Sequence, residues 1–383
     1  MRSFVLLTLF VLLSGCGSNG AVTAGWNAPL PETLDVSLHG SPAPGIRELI
    51  LETSRVEARR SGSDSWFDIH QGGVQTDLIE PYLVWIASCR PPSLPPAGDY
   101  NALRIQFGPG SRIATTDGSY AGPLALPPAL ANGLLVPVDF SIGNGQWTSI
   151  NLLFDPLLSL QAQPAGSASP YLFRPTFKAF NGHGANQNGL VWKGNASTPL
   201  PSAMVTAQLL HAPDPPEILE GGLTFTSPTQ PQWGLFYLPL GQPICLVATS
   251  AGQDVCVPKA ATVSLVQNIN SLVEFTLATV PLAGSVQGRV TPVPGPAQAD
   301  LILVLQELEV APGRTEQLIV ARVLPTLAAE ETFTVPSLAP GSYRLCLLRR
   351  SFGASGAEQS RSHAWSPSFL VAAGQITSQE LAF

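Results

Sequence analysis

The sequence is short of charge, and the charge it has is mainly acidic. Charged residues make up 12% of the 383 residues, and 19 Lys and Arg stand against 26 Asp and Glu, for a formal net charge of −7. Nucleic-acid binding depends on a basic surface that neutralises phosphates. We therefore expect no nucleic-acid partner.

Motifs for catalysis and metal binding are also missing. The five histidines and five cysteines show no pair at zinc-ligand spacing, and no acidic run has the spacing of a calcium loop. The Gly-x-Ser-x-Gly elbow is absent, and no Ser or Cys stands in a pattern that selects a base for it. The sequence predicts no catalytic residue, no metal site and no cofactor, and it assigns no ligand-binding residue.

Two sets of residues keep functional alternatives open. Six aspartates could converge as a general acid/base pair or a calcium site. The favoured roles are turn stabilisation for Asp64 and Asp99 and exposure to solvent for the other four. Five tryptophans could form a stacking platform for sugars, although core positions are favoured. The aspartates are Asp64, Asp68, Asp77, Asp99, Asp139 and Asp155, with Asp117 as a further turn residue, and the tryptophans are Trp66, Trp147, Trp192, Trp233 and Trp365.

Long apolar runs are absent except near the start of the chain. Arg2 precedes an apolar run of ten residues, 4–13, in which Thr8 is the one polar residue. A membrane-spanning helix needs about 20 residues, so this run predicts an export signal. The small residues before Cys16 resemble the lipobox of bacterial lipoproteins. That resemblance implies cleavage of residues 1–15, lipidation of Cys16, a membrane anchor and a place in the cell envelope, in the outer membrane where the host has two membranes.

Glycine and proline are abundant, with 35 and 37 residues. Residues 16–33 are rich in small residues and predict a flexible tether. Residues 102–107 and 148–154 alternate apolar and polar side chains, as half-buried strands do, and turn signals separate such runs. The pattern predicts an all-β protein whose first domain is an antiparallel β-sandwich.

Four cysteines remain besides Cys16. Cys245 and Cys256 flank ten residues that suggest two strands joined by a turn at residues 249–252. We predict a cross-strand disulfide between them, which contributes about 2–3 kcal/mol for so short a loop. Cys89 and Cys346 are predicted to be buried thiols.

The segment 34–180 resembles a lipoprotein domain family known as domain of unknown function 4382. The family's usual Asp-Ala-Pro start is replaced here by a segment around His39. The resemblance implies an envelope β-sandwich without enzymatic activity. The residues that carry it lie at 34–38, 66–69, 76–79, 96–100, 103–105, 152–155 and 171–175.

The second half contains an internal repeat. Gly189 and Gly288 each open a predicted strand, and Leu-x-x-Gly turns follow them, ending at Gly241 and Gly341. The repeat predicts two related modules, 188–278 and 284–383. Both resemble the carboxypeptidase regulatory-like family, which implies small Greek-key, transthyretin-like sandwiches that carry no peptidase residues.

The leading functional hypothesis is a non-enzymatic envelope lipoprotein that binds an envelope protein or polysaccharide, or acts in adhesion. One alternative is an enzyme that acts on glycans or peptidoglycan through convergent carboxylates, for which two facing carboxylates about 5–10 Å apart are required. The other alternative is a passive spacer between the membrane and a partner.

Overall fold

The computed structural model describes most of the chain from residue 32 onwards. The predicted signal peptide, the lipidation residue Cys16 and nearly all of the predicted tether lie outside the described residues. The described ranges are 32–79, 83–143, 145–164, 166–182, 184–194, 198–200, 202–223, 232–250, 254–266, 270–291, 294–295, 297–327, 331–353 and 358–383.

Twelve strands and one short 3-10 helix, Pro128–Asn132, lie between residues 33 and 181. In this part of the chain β1 runs parallel to β9, and the other paired strands are antiparallel. The strands are β1 Thr33–His39, β2 Ile46–Arg60, β3 Trp66–Asp77, β4 Leu83–Cys89, β5 Gly98–Phe107, β6 Arg112–Thr115, β7 Ala121–Pro123, β8 Leu134–Ile142, β9 Trp147–Phe154, β10 Leu160–Ala162, β11 Tyr171–Phe173 and β12 Phe177–Asn181.

Two larger sheets of this N-terminal part enclose one core. One sheet has the order β12-β9-β1-β4, and the other has the order β7-β6-β2-β5-β8 with β3 also paired to β2. Leu103 and Ile105 on β5 are buried in the same apolar cluster as Leu34 and Val36 on β1. The alternation in β5 thus predicted a half-buried strand correctly, because apolar side chains on one face of a strand are buried between the sheets. β9 is a strand as predicted, but the expectation that it is half-buried is wrong. Residues 148–154 are buried on both faces, and Leu153 belongs to an apolar cluster formed mainly by residues after 184.

The middle segment forms two sheets from seven strands. Their orders are β16-β13-β19 and β15-β14-β17-β18, and β13 runs parallel to β19. The strands are β13 Ala185–Lys193, β14 Ala203–His211, β15 Asp214–Leu223, β16 Gln232–Leu238, β17 Pro243–Ser250, β18 Lys259–Ser264 and β19 Val273–Leu277.

The C-terminal segment repeats that strand order. Its sheets are β23-β24-β20-β28, in which β20 runs parallel to β28, and β22-β21-β25-β26, with β27 also paired to β25. The strands are β20 Gly284–Thr291, β21 Gln298–Ala311, β22 Arg314–Val323, β23 Thr326–Leu327, β24 Glu331–Leu338, β25 Gly341–Phe352, β26 Glu358–Trp365, β27 Phe369–Val371 and β28 Ile376–Ala382.

The repeated glycines occupy equivalent positions in the two segments, in the middle of β13 and β20. A Cβ on Gly288 would lie 2.0 Å from the carbonyl oxygen of Gln379 on the parallel neighbour and 2.7 Å from the Phe333 ring on the antiparallel one. A Cβ on Gly189 would meet the Val273 carbonyl oxygen and the Trp233 ring in the same way. Only glycine fits where a ring and a backbone approach a strand this closely.

The predicted disulfide between Cys245 and Cys256 is wrong. Cys245 lies opposite Gln208 and Thr262, whereas Cys256 bridges Thr279, and both thiols are free. Cys245 belongs to an apolar cluster shared with the C-terminal segment, and Cys256 belongs to the core of its own segment. The chain does form a hairpin here, from β17 and β18, but the strand after the turn begins only at Lys259. Cys256 therefore lies in the connection before β18, and Thr262 takes the position opposite Cys245.

The protein is all-β, with its sheets packed as β-sandwiches. Each sheet takes its strands from one of the three segments, and we call these segments the N-terminal, middle and C-terminal modules. Among the described residues no helix is long and apolar enough to cross a bilayer. Cys89 and Cys346 are buried free thiols, as predicted.

Candidate functional site

A cleft of about 370 Å³ lies where the three modules meet. The N-terminal module contributes Asp155 and Leu158, the middle module contributes the hairpin residues between His211 and Ile218, and the C-terminal module contributes residues of β21, β22, β25 and β26. We call this feature the junction cleft. Ligand sites occur preferentially at domain interfaces and have volumes of about 300–1,000 Å³.

The floor of the junction cleft is one face of the sheet β22-β21-β25-β26. Leu301, Leu303 and Leu348 line it and are at most 5% exposed. The side chains between them, such as Ile302 and Leu347, point the other way into the core of the C-terminal module. Both faces of β21 are therefore apolar over residues 301–305, and the outer face belongs to the core cluster of the N-terminal module as well as lining the cleft.

A buried ion pair joins two modules at the cleft wall. Arg322 Nη1 donates to Asp155 Oδ2 at 2.5 Å, and the side chains are 6% and 10% exposed. Asp155 Oδ1 also accepts from the backbone N–H of Leu158. Because a buried carboxylate without its partner is strongly unfavourable, this pair ties the N-terminal module to the C-terminal one.

A side-chain amide joins the middle and C-terminal modules. Gln208 is fully buried on β14, and its Nε2 donates to the carbonyl oxygen of Ile319 at 2.7 Å while its Oε1 accepts from the Ile319 N–H at 2.9 Å. The Gln208 amide thus makes both hydrogen bonds with the Ile319 backbone that a neighbouring strand would otherwise make. Nearby, Cys245 and Val247 pack on Leu308 and Leu318 in a shared apolar cluster. The modules are therefore fixed to one another by specific buried contacts.

Charged side chains form the mouth of the junction cleft. Asp214 and Glu217 stand on the β14–β15 hairpin of the middle module, and Arg361 and His363 stand on β26 of the C-terminal module. Glu217 also accepts from Lys178 Nζ of the N-terminal module at 2.5 Å. The mouth combines acidic and basic groups above an apolar floor, so it can bind a charged ligand and bury an apolar part of it.

The structure brings together an acid pair that the sequence analysis missed. Glu331 is 1% exposed, and burial together with the neighbouring Asp300 carboxylate raises the pKa of Glu331 to about 9. Arg349 binds Asp300 through two hydrogen bonds of 2.7 and 2.5 Å. Neither acid lines the junction cleft, and no spacing in the sequence connects residues 300, 331 and 349.

A second buried charge lies between the N-terminal and C-terminal modules. Arg350 is fully buried, and burial lowers its pKa to about 10. Its Nη1 donates to Thr176 Oγ1 at 3.4 Å, while Nε and Nη2 have no hydrogen-bond partner among the described residues. The nearest carboxylate in an ion pair with it, that of Glu358, is 3.8 Å away. This cation is poorly compensated, so it weakens the contact between the modules.

The six aspartates weighed as a catalytic or calcium cluster have separate structural surroundings. Asp68 binds Arg55, Asp77 accepts from the N–H groups of Leu49 and Ile79, Asp99 accepts from Ser141, and Asp155 binds Arg322. Asp64 and Asp139 are exposed. The expectation that Asp155 faces solvent is wrong, because this residue is buried between modules. Among the described residues no group of three His, Cys, Asp or Glu is placed to hold a metal ion.

Asp117 stabilises a turn, as predicted. Its carboxylate accepts from the N–H and the hydroxyl of Ser119. Hydrogen bonds from Thr115 and Ser119 lower the pKa of Asp117 to about 2.

The tryptophans do not form one platform. Trp233 is 1% exposed in the core of the middle module, and Trp66 lies under the guanidinium of Arg104, 4.2 Å from its ring. Trp147 is 44% exposed. Trp365 lies on the same strand as His363 and contacts its ring edge to face at 5.8 Å, next to the cleft mouth.

The cleft residues could have been found from one signal in the sequence. Residues 301–305 are an unbroken apolar run, Leu-Ile-Leu-Val-Leu, whereas a strand with one solvent face alternates. An unbroken run is typical of a strand that is buried on both faces. It indicates that something covers the outer face of β21, but it does not identify the N-terminal module as the cover.

No protein-family model matches the chain, and no curated protein matches it. Among solved structures, the Bacillus anthracis TIE protein is similar at 10% identity over 92% of this chain and 50% of that one, with a TM-score of 0.19. A leucine-rich repeat protein from Bacteroides thetaiotaomicron is 13% identical over 52% of this chain and 26% of that one, with a TM-score of 0.22. A streptococcal ancillary pilin is 13% identical over 92% of this chain and 98% of that one, with a TM-score of 0.20. The chain thus spans half of the first of these proteins and about a quarter of the second.

Proposed function

We propose that the protein is a non-enzymatic binding protein of the bacterial cell envelope, held at the membrane by lipid on Cys16, and that it binds an envelope protein or polysaccharide at the junction cleft. One observation carries the proposal: all three modules contribute to a single cleft with an apolar floor and a charged mouth. A chain that served only as a spacer has no need for a cleft built from three modules.

The contacts between modules support this proposal. The Asp155–Arg322 ion pair and the Gln208–Ile319 hydrogen bonds fix the walls of the cleft relative to one another. A preformed site loses little conformational entropy when the ligand binds, and preorganisation of this kind favours affinity. Buried contacts that a spacer would not need therefore have a purpose in a binding protein.

The proposal is tested by affinity capture from separated envelope fractions. The full chain, purified in detergent, is immobilised and offered protein and polysaccharide fractions from the producing organism. The variant Asp214→Arg places a large cation in the cleft mouth, and Asp64→Arg makes the same change at an exposed position outside the cleft. We expect one fraction to be retained by the wild type and by Asp64→Arg, and lost with Asp214→Arg. Equal retention by all three proteins, or no retention, contradicts binding at the cleft.

The membrane anchor has its own test. Cys16→Ser removes the thiol that lipid attachment requires, so we expect the variant to stay unprocessed or to leave the membrane fraction. Cys89→Ser is the matched control, since that thiol lies buried in the N-terminal module. Membrane attachment and processing that are unchanged by Cys16→Ser would show that the anchor is not at this residue.

The enzyme alternative and the spacer alternative make different predictions. An enzyme that acts on glycans or peptidoglycan would convert the retained polymer, which chromatography of the eluted material would show as shortened chains. We propose that the polymer or protein is released unchanged. A passive spacer would bind nothing, and deletion of residues 284–383 would leave any cell-surface phenotype as it is in the wild type.

A further inference from the structure

The two walls of the cleft mouth carry opposite charge and belong to different modules. On the β14–β15 hairpin, the side chains of Asp214 and Glu217 are 64% and 21% exposed. On β26, the side chains of Arg361 and His363 are 36% and 28% exposed. Glu217 is already paired with Lys178 and His211. A ligand that lies between the walls therefore meets the Asp214 carboxylate on one side and nitrogen donors on the other.

The walls face each other across long contacts. Arg361 Nη1 lies 3.8 Å from Glu217 Oε1, and His363 Nδ1 lies 3.8 Å from Asp214 Oδ1. Charge-assisted hydrogen bonds between such groups span about 2.7–2.9 Å. Arg361 directs Nε and Nη2 to Glu358 at 2.8 and 3.3 Å. Nη1 is thus the guanidinium nitrogen that faces the opposite wall without reaching it.

Beneath the charged mouth the cleft is apolar. Leu301, Leu303 and Leu348 form the floor, and Ile319 and Ile218 stand beside them. Burying an apolar side chain on such a surface contributes about 25 cal/mol per Å² of area removed from water. The volume of about 370 Å³ is near the lower end of ligand pockets, so the bound part of the ligand is small.

We propose that the junction cleft binds a short peptide with a free ammonium group, a free carboxylate and apolar side chains. The ammonium group binds Asp214 on the hairpin wall, the carboxylate binds Arg361 Nη1 on β26, and the apolar side chains lie on the leucine floor. Two hydrogen-bonded ion pairs with the ligand then replace the two long contacts across the mouth. This inference rests on the proposed function, because it names the ligand class of the same cleft.

The test is calorimetric titration of the full chain in detergent with three probes. Leucyl-leucine carries both charges, its N-acetyl derivative lacks the ammonium charge, and its C-terminal amide lacks the carboxylate. We expect leucyl-leucine to bind at least tenfold more tightly than either derivative. Binding of all three with equal affinity, or no binding of leucyl-leucine at millimolar concentration, overturns the proposal.

Variants of the two walls assign each charge of the ligand to its residue. In Asp214→Asn, acetylating the probe should no longer reduce its affinity, whereas amidating it still should. In Arg361→Gln the pattern should reverse. The matched controls Asp64→Asn and Arg314→Gln change exposed charges outside the cleft and should keep the full preference for leucyl-leucine. A preference for both free termini that survives in Asp214→Asn and Arg361→Gln overturns the assignment.

The two proposals fail in distinguishable ways. If an envelope polysaccharide is captured and Asp214→Arg abolishes the capture, the cleft is a binding site even when leucyl-leucine fails to bind, and the peptide inference alone is overturned. If capture does not depend on the cleft and leucyl-leucine also fails to bind, both are overturned. Displacement of a captured envelope protein by leucyl-leucine, but not by its two derivatives, supports both.

Discussion

Replacing Glu331 with glutamine should change how the stability of the protein depends on pH. Glu331 is buried beside the Asp300 carboxylate, and these surroundings raise its pKa from 4.5 to about 9. Within the part of the chain that the structure describes, its Oε2 has no hydrogen-bond partner. At neutral pH the folded protein therefore keeps a proton on Glu331, while the unfolded chain has lost it.

The size of the effect follows from this difference in proton binding. Between pH 4.5 and about 9 the folded state holds one more proton than the unfolded state, so the free energy of unfolding falls as the pH rises. The slope is about 1.4 kcal/mol per pH unit, and the loss from pH 6 to pH 8 is about 3 kcal/mol. The stabilisation is complete below pH 4.5 and is lost as the pH approaches 9.

Urea unfolding of the wild type and Glu331→Gln at pH 6, 7 and 8 measures the effect. Glutamine is neutral at every pH and can still donate to Asp300, so the variant should lack most of this slope. Other titrating groups contribute equally to both proteins and cancel in the comparison. Glu380→Gln is the matched control, because the Glu380 side chain is 80% exposed, and it should keep the wild-type slope. If the free energy of unfolding has the same pH dependence in the wild type and in Glu331→Gln, the reasoning is refuted.

Three further predictions concern other buried groups. Burial lowers the pKa of His39 to about 4, so the free energy of unfolding measured with urea should fall by about 2 kcal/mol from pH 6.5 to pH 5. His39→Gln should remove most of this fall, and an equal fall in the variant contradicts the prediction. Gly288→Ala should lower the free energy of unfolding measured with urea by about 1–3 kcal/mol, because the added Cβ meets a backbone oxygen. In the control Gly295→Ala the nearest atom to the Cβ is 3.6 Å away, so this free energy should change little. Equal losses in the two variants would be inconsistent with this packing. Arg350→Met should leave the melting temperature unchanged or raise it, since a poorly compensated buried cation is removed; a fall equivalent to more than about 2 kcal/mol would show that the guanidinium is well compensated.

Local sequence pattern predicted individual strands well. The alternation in β5 depends only on which face of a strand meets the core, and that information is contained in a few consecutive residues. The same alternation predicted β9 as a strand but did not predict that its polar face is buried as well. The repeated glycines predicted two related segments, and the structure gives both segments the same strand order. The glycines lie in the middle of their strands instead of opening them, because the strands extend upstream to Ala185 and Gly284.

The local sequence pattern could not predict which strands pair with one another. The disulfide prediction failed because it assumed a tight turn that sets Cys256 opposite Cys245, whereas the hairpin of β17 and β18 has a longer connection, and Cys256 bridges Thr279 instead. The parallel pair of β1 and β9 likewise joins residues more than 100 positions apart. Alternation specifies the faces of a strand but not its neighbour or its direction.

The sequence by itself determined the fold class, the strand positions in the clearest segments and the burial of Cys89 and Cys346, because these follow from side-chain periodicity and apolar character. Only the tertiary structure decided that three modules share a cleft, that Arg322 pairs with Asp155, and that Glu331 lies beside Asp300. Each of these joins residues that are far apart in the chain, and their energies come from burial and charge that exist only after the sheets have packed.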